Sequence, residues 1–136
     1  MELIDAYDIK PAMRATAIEE FDSDDVFLLA ASLAEDIQGL FVVAKEQPRW
    51  EHLYDQCLRA SNSIVLNYAE GIGKIRGYTM SAWLVARGEA YELYGGLSIG
   101  NGEFRAIKPK CRQLIALLNG RIMALHEKSD KKYWQN

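Results

Sequence analysis

Two carboxylates, one guanidinium and one amide stand among apolar residues between Ser61 and Glu92: Asn67, Glu70, Arg87 and Glu92. A pair of carboxylates on facing elements can act as general acid and general base, as in glycoside hydrolysis. Glu70 and Glu92 are therefore the candidates for catalysis. The same four groups can instead satisfy one another. A buried amide or charge is costly unless it is paired, and a network of this kind fixes helix register at some loss of stability. Buried polar groups generally pair internally. The expected role of Asn67, Glu70, Arg87 and Glu92 is thus a structural polar cluster, and no enzymatic activity is expected.

Other chemical patterns are missing from the sequence. His52 and His126 are the two histidines, and neither follows a glutamate by three residues, as di-metal carboxylate bundles require. Cys57 and Cys111 have no Cys-x-x-Cys spacing and read as buried free thiols in a reducing cytoplasm. Gly71-Ile-Gly73 follows a helical pattern, not a strand, so it is not a phosphate loop. No metal and no cofactor is expected. The start, Met1-Glu-Leu-Ile-Asp, is acidic and unlike a secretory leader. There is no run of about 18 charge-free apolar residues, so no membrane span is expected.

Charge is unevenly spread over the 136 residues, whose formal net charge is −3. Residues 1–56 carry 13 acidic and 4 basic side chains, and residues 103–136 carry 3 and 8. Such asymmetry suits either a basic face for phosphate or a contact between acidic and basic surfaces. The basic candidates are Arg105, Lys108, Lys110, Arg112 and Arg121, which would contact phosphates without reading sequence.

The elements that position these residues are helical. Ser23 or Asp24 can cap a first helix. Its seam runs Val26, Ala30, Leu33, Ile37, Leu40 and Ala44, with alternating spacings of 4 and 3. Fourteen of the nineteen residues from Val26 to Ala44 are apolar, more than one core-facing stripe needs. Phe27, Phe41 and Val42 are the surplus, and an oligomer interface is expected there. A second helix runs from Arg49 to Glu70 with the seam Leu53, Cys57, Ala60, Ile64, Asn67 and Gly71, and Gly71 suits a left-handed cap. A third, capped by Thr79 or Ser81, uses Trp83, Ala86, Ala90, Leu93 and Leu97. A fourth starts between Glu103 and Pro109 and reaches Glu127 through Ile107, Cys111, Leu114, Leu118, Ile122 and Leu125. The expected fold is all-α, an antiparallel up-down-up-down four-helix bundle. Residues 1–22 form an N-terminal arm, 23–127 the bundle and 128–136 a polar tail.

The run Ser61-x-x-Ile64-x-x-Asn67-Tyr-Ala-Glu-Gly-Ile-Gly-Lys74, followed by Ala86-Arg-Gly-Glu89-x-x-Glu92-Leu, resembles the 23S rRNA-intervening-sequence proteins, also called the four helix bundle protein family. Tyr68, Lys74 and Glu89 depart from the family's Ile, Arg and Ser. The resemblance implies a bacterial four-helix bundle that assembles as a ring-shaped homopentamer. The family is similar to the accessory variability determinant of diversity-generating retroelements, which binds nucleic acid and partners a reverse transcriptase. The expectation is a cytoplasmic, non-enzymatic homo-oligomer that binds RNA or DNA or serves as an interaction accessory. The alternative is an accessory subunit that docks on a reverse transcriptase through protein contacts.

Overall fold

The computed structural model describes residues 18, 20–74 and 76–134, with the backbone alone at 76–77 and 129–134. Among the described residues there is helix and no strand. The helices are α1 (Asp25–Gln38), α2 (Phe41–Glu46), α3 (Pro48–Ile72), α4 (Arg76–Ile99), α5 (Gly102–Arg105) and α6 (Lys108–Trp134). The expected arm, apart from its last residues, lies outside the described residues.

Asp24 is the N-cap of α1. Its carboxylate accepts from the backbone N–H of Val26 at 2.9 Å and of Phe27 at 3.0 Å, filling two of the donors that a helix start leaves unpaired. The seam expected from Val26 to Ala44 is buried as a set, but it does not lie on one unbroken helix. The chain tightens at Gly39 and Leu40, where Leu40 N–H donates to Ile37 O at 3.0 Å, three residues back. Asp25–Glu46 has the length and composition of a membrane-crossing helix, with mean hydropathy 1.8. Its seam residues join the core with α3, α4 and α6.

Pro48 opens α3 from its first turn, where its missing N–H costs nothing. The helix continues past Glu70 to Ile72. Gly71 is therefore not a left-handed cap: Gly73 ends the helix, in right-handed backbone. The reason for glycine at 71 is close approach, because a Cβ there would lie 2.4 Å from the Trp83 indole. The third long helix, α4, begins at Arg76, ahead of the expected caps. Thr79 faces back to α3, donating from Oγ1 to Gly71 O at 2.8 Å. Gly95 and Gly96 do not end α4, and Gly96 lies against Cys57 Sγ.

Asn101 caps the short α5 by accepting from Glu103 N–H and Phe104 N–H. The helix α6 continues to Trp134, so most of the expected polar tail is helical. Packing contacts join α1 to α3 and α6, α4 to α3 and α6, and α2 to α3. The core between them includes Leu33, Ile64, Tyr68, Leu93, Leu97, Leu114 and Leu118, each at most 1% exposed.

Candidate functional site

The best-connected polar group among the described residues lies where the start of α1 meets α3 and α6. Tyr68 reaches it by continuing the α3 seam four residues beyond Ile64, where a helix presents the same face again. The Tyr68 hydroxyl lies 3.0 and 2.9 Å from the two Asp24 carboxylate oxygens, to which it donates. Arg121 Nη1 donates to Asp24 Oδ2 at 3.1 Å and to the Tyr68 hydroxyl at 3.3 Å. Its Nη2 donates to Asp25. Burial, reinforced by the bond to Asp24, pushes the Tyr68 phenol well above its ordinary pKa. The ring of Tyr68 stacks on Trp83 with centroids 5.2 Å apart, and Trp83 Nε1 donates to Tyr68 O at 3.2 Å. Each of these polar groups has its partner within the network, so the arrangement suits holding three helices in register better than proton transfer.

The four residues expected to form a polar cluster do not come together. Asn67 turns to its own helix, donating to Ser63 O at 2.9 Å and Ser63 Oγ at 3.0 Å. Glu70 is exposed and pairs with Lys74 at 2.7 Å. Arg87 Nη1 donates to Asn119 Oδ1 at 3.2 Å, and Glu92 is exposed beside Glu89. The spacing failed here because Asn67 and Tyr68 are adjacent and only one can face inward. Tyr68 takes the core position and makes the network that Asn67 was expected to make. Glu70 lies near the Gly71 end of α3, whereas Glu92 lines a cleft with Leu53 and Cys57, more than ten α3 residues away. At 1.5 Å per residue the two levels are roughly 20–25 Å apart, too far for a shared reacting atom.

That cleft between α3 and α4 has a volume of about 150 Å³, with Gln56, Cys57, Glu92 and Gly96 in its lining. Burial, with a smaller effect of Glu92, pushes the Cys57 thiol up to about 11. Burial, with Cys57, pushes Cys111 up to about 12. Both cysteines are free and buried. Neither is an activated nucleophile, since a reactive cysteine needs a depressed pKa. Among the described residues no group of three or more His, Cys, Asp or Glu side chains could hold a metal ion.

The five basic candidates separate into two sets. Arg121 is held by Asp24 and Asp25, and Lys110 by Asp36 at 2.6 Å and Ser32 Oγ at 2.8 Å. These two cations tie α6 to α1. Arg105, Lys108 and Arg112 have no carboxylate within ion-pair distance among the described residues. Lys108 and Arg112 gather instead on Tyr94 of α4. Arg112 Nη2 donates to the Tyr94 hydroxyl at 2.6 Å, and Lys108 Nζ lies 4.9 Å from the ring centroid. The bond from Arg112, with the neighbouring positive charges, holds the Tyr94 phenol below its ordinary pKa. Tyr94 has no signal in the sequence, because nothing there marks a tyrosine two helices away from a basic run.

Of the three residues expected at an oligomer interface, Phe41 and Val42 are exposed, at 51% and 64%. Phe27 is half-buried, its ring 4.2 Å from that of Phe21. More apolar surface lies on the outer side of α4, where Leu84, Val85, Tyr91 and Ile99 are exposed. No family model matches the chain, and neither a curated protein nor a solved structure matches it.

Proposed function

We propose that the chain is an up-down-up-down four-helix bundle that acts without catalysis, as a homo-oligomeric accessory binding the phosphate backbone of RNA or DNA. Contacts between helix ends support the topology. Asp24 at the start of α1 meets Tyr68 near the end of α3 and Arg121 well along α6. Asp36 near the end of α1 meets Lys110 near the start of α6. Gly71 meets Trp83, while Cys57 meets Gly96 farther along α4. Each of these contacts is one that antiparallel neighbours make.

The observation that carries the binding role is the set Arg105, Lys108 and Arg112, cations left without carboxylate partners among the described residues, in a chain with more acidic than basic side chains. Phosphate is the ligand that an unneutralised basic surface favours, through release of counterions. Homo-oligomerisation is supported by the adjacent exposed side chains Phe41 and Val42 of α2 and by Leu84, Val85, Tyr91 and Ile99 along the outer side of α4, apolar surface that a second copy would cover. The motif resemblance to the 23S rRNA-intervening-sequence proteins points the same way. The alternative, docking of a reverse transcriptase on the acidic N-terminal arm, draws on residues that lie for the most part outside the described ones, while Asp24, Asp25 and Asp36 are paired within the chain.

The test is binding of a labelled structured RNA and a DNA duplex, titrated against salt, with mass by light scattering on the same sample. Affinity should fall steeply with salt. Lys108→Gln should reduce the salt slope by about one, whereas Arg121→Gln should leave it unchanged. Absence of binding by an oligomer would remove nucleic acid from the reading, and a monomer at micromolar concentration would remove self-assembly.

A further inference from the structure

We propose that Tyr94, Lys108 and Arg112 form a seat for a single phosphate group. The inference rests on the preceding reading for the source of the phosphate, but not for the seat itself. Arg112 Nη2 donates to the phenolic oxygen at 2.6 Å. The hydroxyl proton of Tyr94 is therefore free to donate elsewhere, since a phenol both accepts and donates. Lys108 adds up to three N–H donors and Arg112 its remaining ones. The group thus presents donors and positive charge. Its one acceptor, the phenolic oxygen, is already in use.

Charge balance makes the same point. Lys108 and Arg112 are four residues apart on α6, so they lie on one face of the helix and repel each other. Both are drawn to the same ring, at 4.9 and 5.7 Å from its centroid, and no carboxylate pairs with either among the described residues. A tyrosine ring disperses this charge only in part. An anion with several acceptor oxygens would relieve the repulsion and use the phenol proton, the ammonium and the guanidinium together. Phosphate has that charge and oxygen count, and arginine forms strong charge-assisted bonds to it. The first residue of α6 is Lys108, so the positive end of a long helix dipole adds to the field at the seat.

The experiment uses the full chain and inorganic phosphate, at ionic strength held constant with chloride, followed by NMR of the tyrosine rings and arginine side chains. Saturable shifts at Tyr94 and Arg112 are expected, lost in Arg112→Gln and weakened in Tyr94→Phe, which keeps the ring and removes the hydroxyl. Unmoved resonances, or equal Tyr94 shifts in Arg112→Gln, would overturn the seat. In a second arm, the labelled RNA and duplex are bound by wild type and by Tyr94→Phe. A seat occupied by backbone phosphate predicts a loss of about threefold to tenfold with the salt slope unchanged. Phosphate shifts without nucleic-acid binding would uphold the seat and overturn the nucleic-acid reading. Nucleic-acid binding equal in the two proteins, with no phosphate shifts, would overturn the seat and leave that reading standing.

Discussion

At the scale of single residues, Tyr68 shows how one side chain can hold several elements. Its hydroxyl bonds to the N-cap of α1, its ring lies on Trp83 of α4, and Arg121 of α6 reaches both Asp24 and Tyr68. Tyr68→Phe keeps the stack and removes only the hydroxyl. It leaves the Asp24 carboxylate with Arg121 and its backbone donors, so a loss of about 1–2 kcal/mol is expected. Denaturant unfolding would measure it, and an unchanged midpoint would show that the hydroxyl contributes nothing net. Asp24→Ala removes the cap as well as the partner of Tyr68 and Arg121, so a larger loss of about 2–4 kcal/mol is expected in the same assay. The residue scale is also where the sequence is hardest to read. The α3 seam is legible from Leu53 to Ile64, but spacing cannot choose between Asn67 and Tyr68, since three- and four-residue steps both keep a side chain on one face. Volume and a partner 44 residues away decide it.

At the scale of elements, hydrophobic periodicity locates the core of every long helix, because burial of a stripe is local to the helix that bears it. It locates the ends less well. The start of α4 at Arg76 and the extent of α6 to Trp134 lie beyond the buried stripe of each helix, so no apolar spacing marks them. Glycine shows the same divide. Gly71 and Gly88 are both helical, yet a Cβ at Gly71 would meet Trp83 while one at Gly88 would meet nothing within 4 Å. Gly71→Ala should destabilise by about 1–3 kcal/mol through overpacking. Gly88→Ala should stabilise by roughly 0.5–1 kcal/mol through helix propensity. Thermal melts of the two variants, shifted in opposite directions, would bear this out; equal shifts would contradict the packing at Gly71. The candidate site is legible in part: the basic run is visible, but which cations remain free depends on the acidic residues of α1 that α6 meets.

At the scale of the whole molecule, the two buried thiols make stability depend on alkaline pH. Cys57 is held up to about 11 and Cys111 to about 12, while in the unfolded chain both ionise near the ordinary value of about 8.5. A raised folded pKa contributes stability that is complete below the unfolded pKa and is lost as pH rises toward the folded one. Stability should therefore fall from about pH 9 upward, and replacing both cysteines with alanine should flatten that decline. Denaturation midpoints across the range would decide, and an equally steep decline without the thiols would assign it to other groups. The pairing of α1 with α6 has a consequence in time. Asp24 and Arg121 are 97 residues apart in sequence. At about 5–20 residues per second, a ribosome needs roughly 5–20 s to make the chain between them. For most of that interval the strongly apolar α1 has been synthesised while α6, which helps enclose it, has not. The nascent chain is thus exposed to aggregation through α1 until α6 is made.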